Sequence, residues 1–87
     1  MKLIVLFAHW CPICNMMMPI VDELEGYYKG KIPIVKIDTE LEPEKMKDYG
    51  VQVVPTFILF RQGQEVLRMS GLIGEKVLYE RLNEKLK

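Results

Sequence analysis

The amino-acid sequence predicts an α/β protein: a βαβ unit followed by ββα, with a four-stranded mixed sheet flanked by three helices. Three observations carry this reading. Leu3 to Phe7 and Phe57 to Phe60 are unbroken apolar runs, as in strands buried on both faces. Cys14, Met17, Val21, Leu24 and Tyr28 recur at helical spacing between them. Gln62-Gly63 then divides two strand-like runs, the two-residue signature of a hairpin.

The elements follow in order. Leu3 to Phe7 is the first strand. Pro12 opens the first helix, where its missing N–H costs nothing. Pro19 is expected to interrupt that helix and kink it. Gly26 and Gly30 bracket its end. Met16 to Met18 reads as core filling, with a soft docking surface as the alternative. Ile32 to Asp38 is the second strand, parallel to the first across a right-handed crossover. Pro43 to Tyr49 is a short helix with Met46 and Tyr49 inward, and Gly50 suits its C-terminal cap. Thr56 to Phe60 is the third strand and Glu65 to Ser70 an antiparallel edge strand. Glu75 to Lys87 is the closing helix, with Leu78, Leu82 and Leu86 on one stripe. The chain of 87 residues reads as one domain, 1–87.

Composition excludes several function classes. Lys+Arg and Asp+Glu are both 12, so nothing points to nucleic acid or an anionic membrane. The apolar run at Leu3 to Ala8 is too short for a signal peptide and reads as a strand, which places the protein in the cytoplasm. No run has transmembrane length.

The chemistry concentrates in Trp10-Cys11-Pro12-Ile13-Cys14, which holds the only tryptophan and both cysteines. C-x-x-C after a strand and at the head of a helix is a redox pattern. One helical turn brings the two sulfurs within disulfide reach. The first cysteine also meets unpaired N–H groups and the positive end of the helix dipole. Both favour a thiolate, so Cys11 is expected to titrate below a free thiol's ~8.5. Three blander readings compete. A structural bridge closing so small a loop stabilises little. Zinc usually takes four ligands, and here only two thiols and His9 are available. A non-catalytic binding module is the third, and this chain has both cysteines.

Three separated signals in register resemble the thioredoxin superfamily over nearly the whole chain. They are Trp10-Cys11-Pro12-Ile13-Cys14, then Val54-Pro55-Thr56, then Phe60-Arg61-Gln62-Gly63-Gln64 with Gly71. The resemblance implies a thioredoxin fold in minimal form, without the N-terminal strand and helix of typical thioredoxins. It implies a cis Val54–Pro55 bond beside the cysteines. It also implies a protein-disulfide reductase, with Cys11 the exposed nucleophile and Cys14 the buried resolving thiol. Trp10, Pro12, Ile13, Val54, Pro55 and Gly71 would contact substrate, and Asp38 would accept the Trp10 indole N–H. The redox-active Cys11–Cys14 pair would serve without cofactor or metal. Partners would be disulfide-containing proteins and a thioredoxin-reductase-like donor, acting on a monomer.

The alternative is a glutaredoxin-like, glutathione-dependent reductase, supported by length and by Pro12. Against it, Gly71-Leu72-Ile73-Gly74-Glu75 does not match the Gly-Gly-x-Asp element with which glutaredoxins hold glutathione. Thioredoxins also carry a buried acid six residues before the first cysteine, where this chain has Val5. The neighbouring lysine corresponds to Ile34.

Overall fold

A computed structural model describes residues 1–87. Four strands, β1 (Lys2–Phe7), β2 (Ile34–Asp38), β3 (Thr56–Arg61) and β4 (Gln64–Ser70), join three helices, α1 (Pro12–Tyr27), α2 (Glu44–Asp48) and α3 (Glu75–Leu86). The sheet order is β2-β1-β3-β4. β1 and β2 are parallel, and the other two pairings are antiparallel. The mixed sheet and the expected element order are both present, with every boundary within two residues of its expected place.

The two central strands are buried on both faces, which is why they carry no polar alternation. One face is covered by α1 and α3. There Met17, Val21, Leu24, Leu78 and Leu82 pack on Leu3, Val5, Phe57, Leu59, Leu67 and Met69. The other face is covered by α2, whose Met46 and Tyr49 lean on Ile4, Leu6, Ile37, Val51 and Ile58. Leu86 departs from the expected stripe and is 39% exposed. It is the last helical residue, and it lies outside the packed cluster that holds Leu78 and Leu82.

Local chemistry explains the joins. α1 runs unbroken through Pro19, so the expected interruption does not occur. Pro19 and Asn15 both face solvent, where water can take the Asn15 carbonyl that Pro19, having no N–H, leaves without a donor. Gln62 and Gly63 both have positive φ, 52° and 79°, as a type I′ hairpin demands. β2 starts at Ile34 rather than Ile32, because Pro33 has no N–H for the ladder; its carbonyl still accepts from Leu3 N–H at 2.9 Å. Ile34 pairs with Leu3, while Val5 lies opposite Lys36. The Lys36 ammonium reaches α1, 2.7 Å from Glu25 and 3.6 Å from Asp22. No helix is long and apolar enough to cross a membrane.

Candidate active site

The C-terminal end of β1 delivers the chain to a turn at Ala8–Cys11, closed by Cys11 N–H on the Ala8 carbonyl at 3.3 Å. Cys11 is the N-cap of α1. Its Sγ accepts the Cys14 N–H at 3.2 Å, the role a serine or threonine oxygen usually fills. Pro12 then occupies N1. This geometry puts Cys14 on the inward stripe of α1 with no exposed surface. Cys11 is less exposed than expected, at 6%. The cause is the loop opposite: the Cys11 thiol donates to the Val54 carbonyl at 3.6 Å, and Val54 packs against the cluster of Ala8, Cys11 and Cys14.

The two thiols are unbridged and electrostatically distinct. The Cys14 thiol donating to the Cys11 sulfur holds the Cys11 pKa below its ordinary value; burial opposes this, and the Cys14 and Ile13 N–H groups reinforce it. Burial pushes Cys14 up to about 11, helped by its hydrogen bond to Cys11. One cysteine is thus prepared to be a thiolate and the other to remain a thiol.

Around the pair stand the remaining residues singled out from the sequence. Val54–Pro55 is a cis bond, and Pro55 is buried. The Pro55 carbonyl accepts from Gly71 N–H at 2.9 Å, and Gly71 has φ +84°. Trp10 is 70% exposed, and Ile13, Val53 and Leu72 are exposed as well. Pro12 is exposed on the first turn of α1. Thr56 braces the loop from behind, donating to the Val53 carbonyl at 2.7 Å.

Asp38 does not orient Trp10. Its Oδ2 lies 3.0 Å from His9 Nε2, and its Oδ1 accepts the Glu40 N–H at 2.9 Å. The turn at Ala8–Cys11 presents the imidazole to Asp38 and leaves the indole facing solvent. The sequence reading missed Glu40 and Asn15, which hold this turn. Glu40 Oε1 accepts the His9 and Trp10 N–H groups, and Asn15 Nδ2 donates to the His9 carbonyl. Neither carries a local signal; an acid in a loop and a polar residue on a helix are ordinary surface features. A cleft of about 340 Å³ lined by Lys2, Ile4, Tyr49 and Phe60 lies at the other end of the sheet, beside the hairpin. The two cysteines lie apart from this cleft, beside the exposed lip of Trp10, Pro12 and Ile13.

This fold and this paired-thiol lip define a thiol–disulfide oxidoreductase site. The thioredoxin family model matches residues 1–84. The chain is 41% identical over 81 residues to Thioredoxin Y1, chloroplastic, of Arabidopsis thaliana, covering 93% of this chain and 47% of that protein. It is 36% identical over 80 residues to Thioredoxin 1 of Nostoc sp., covering 92% and 75%. It is 36% identical over 85 residues to a thioredoxin of Staphylococcus epidermidis, covering 98% and 82%. The chain belongs to the thioredoxin family. It spans about half the length of the Arabidopsis relative and three quarters or more of the two bacterial ones. Thioredoxins work through their own active-site cysteines, without a cofactor.

Proposed function

We propose that the protein reduces disulfides of other proteins by dithiol exchange. The observation that carries this is the geometry of the pair: Cys11 Sγ caps the N-terminus of α1 and accepts the Cys14 N–H, with Cys14 wholly buried behind it, so that Cys11 is held low and Cys14 pushed up to about 11. The Cys11 thiolate attacks one sulfur of the target disulfide. A mixed disulfide forms, and the first target thiolate leaves and takes a proton from solvent. Cys14 then loses its proton as its sulfur attacks Cys11 Sγ. The second target thiolate leaves, and the Cys11–Cys14 disulfide remains. The target has gained two electrons and two protons. A donor dithiol of the thioredoxin-reductase kind returns the pair to thiols.

Trp10, Pro12, Ile13, Val54, Pro55 and Gly71 form the surface that receives the target. The Val54 backbone pairs with an extended segment beside the target disulfide. Its carbonyl already accepts one hydrogen bond, from Cys11, and faces the reacting sulfur. The protein acts in this reading as a cytoplasmic monomer of one domain.

Insulin-disulfide reduction is the test, with a thioredoxin reductase and NADPH in one arm and glutathione in the other. Turnover with the reductase and little with glutathione is expected. No turnover with either donor overturns the proposal.

A further inference from the structure

The turn in front of Cys11 leaves two backbone donors unused. A turn closed from Cys11 N–H to the Ala8 carbonyl gives the N–H groups of its corner residues, His9 and Trp10, no partner within it. Successive N–H groups of this kind form a concavity suited to an anion. One atom fills it: Glu40 Oε1, 2.8 Å from His9 N and 3.2 Å from Trp10 N.

Glu40 is itself held in place. Its N–H donates to Asp38 Oδ1 at 2.9 Å, and the preceding Thr39 donates through both N–H and hydroxyl to the Phe7 carbonyl, each at 2.9 Å. The loop after β2 is therefore locked to the end of β1, and its carboxylate is delivered under the turn. Hydrogen bonds this exposed contribute little to global stability. What they fix is local. Trp10 makes no side-chain hydrogen bond and lies outside the packed clusters, so its backbone anchor decides where the indole stands.

We propose that Glu40 is a positioning residue for disulfide exchange: its carboxylate holds the His9 and Trp10 N–H groups, and so sets the lip on which a protein disulfide docks before Cys11 attacks it. The inference rests on the proposed function only for its effect on turnover. Glu40 touches neither the reacting sulfurs nor, on this geometry, the substrate.

The test compares the full chain with Glu40→Ala, Glu40→Gln and a control, Glu42→Ala. Trp10 is the only tryptophan, so its fluorescence anisotropy decay reports this turn alone. Glu40→Ala is expected to increase the amplitude of fast Trp10 motion and to lower kcat/KM for insulin about fivefold, the scale of one or two modest hydrogen bonds. The pH-independent rate of Cys11 alkylation by iodoacetamide should change by less than about twofold, since that small reagent needs no lip. Glu40→Gln, which keeps an accepting oxygen, should recover most of both effects. Glu42→Ala should match the wild type. Unchanged Trp10 motion in Glu40→Ala overturns the inference. So does a Gln variant as impaired as the Ala variant, because charge and not hydrogen bonding would then be at work. An inactive wild type would overturn the proposed function instead, and the anisotropy would still decide on Glu40.

Discussion

The Cys11 thiol donates to the carbonyl of Val54, a residue 43 positions further along the chain, at 3.6 Å. This contact joins the active-site helix to the cis-proline loop and helps bury the reacting sulfur. It also separates the two cysteines by role, since Cys14 lies wholly behind it. Cys14→Ser is expected to accumulate mixed disulfides through Cys11, because attack proceeds and resolution does not. Cys11→Ser should accumulate none. Non-reducing electrophoresis after mixing with a disulfide protein reads both outcomes, and equal trapping by the two variants would reverse the assignment.

The thiol titration should follow the same asymmetry. Only the thiolate is nucleophilic, so alkylation rises with pH as each sulfur ionises. A lowered Cys11 pKa moves its curve to lower pH than a free thiol's, and Cys14 should stay unreactive until pH approaches about 11. The largest cause at Cys11 is the hydrogen bond donated by Cys14. Cys14→Ala removes that donor and should move the Cys11 midpoint upward, whereas Cys14→Ser keeps an O–H and should move it less. Mass spectrometry of iodoacetamide adducts across pH measures this. An unchanged midpoint in Cys14→Ala would transfer the credit to the backbone N–H groups.

Away from the site, Arg68 ties β4 to the end of α2. Its guanidinium donates to both Glu65 oxygens at 2.8 Å, to the Tyr49 carbonyl at 2.7 Å and to the Gly50 carbonyl at 3.1 Å. The last two are orphan carbonyls at a helix C-terminus. Arg68→Ala should cost about 1 kcal/mol of stability, a figure kept low because the side chain is partly exposed. Arg68→Lys should recover little, as a single ammonium cannot serve carboxylate and carbonyls at once. Thermal unfolding of the two variants checks the order.

Gly71 permits a prediction that separates strain from crowding. A Cβ there would meet nothing within 4 Å, yet φ is +84°. Gly71→Ala should therefore destabilise by about 1 kcal/mol through backbone strain alone. Its kcat/KM for insulin should fall about tenfold, since the added methyl stands in the open space where the target is received. A folded variant within about twofold of wild type would remove Gly71 from the receiving surface.

What the sequence makes legible is what local pattern encodes. β1 and β3 stand out because burial on both faces removes polar alternation, and Gln62-Gly63 because two positive φ angles demand such residues. The cysteine pair is legible because N-cap and inward stripe are fixed by spacing along one helix. The partner of Asp38 is not. Indole and imidazole stand on adjacent residues, and a turn held by Glu40, thirty positions away, decides which one faces the carboxylate. The burial of Cys11 likewise depends on Val54. In each case a contact distant in sequence overrides a correct local periodicity.

The resolving step depends on where the Cys14 proton goes. Burial and Cys11 account for the raised Cys14 pKa, the backbone opposes them, and no carboxylate or imidazole contributes to it. Val5 occupies the position of the family's buried acid, within the apolar cluster beneath α1 and α3. Its register neighbour Lys36 is turned to Glu25 and Asp22. The His9 imidazole is engaged with Asp38 and is mostly exposed. The proton must then pass to water or to the leaving target thiolate. His9→Ala should alter the resolution rate by less than about twofold, since the imidazole contacts Asp38 and neither cysteine. Val5→Asp should accelerate resolution near neutral pH by supplying an internal acceptor. It should also cost about 3 kcal/mol of stability, because a carboxyl group replaces a fully buried methyl pair with no partner provided. Stopped-flow decay of a preformed mixed disulfide, followed across pH for each variant, measures these rates. A tenfold slowing by His9→Ala would make the imidazole the acceptor. A folded Val5→Asp with an unchanged rate and pH profile would show that proton removal does not limit the step.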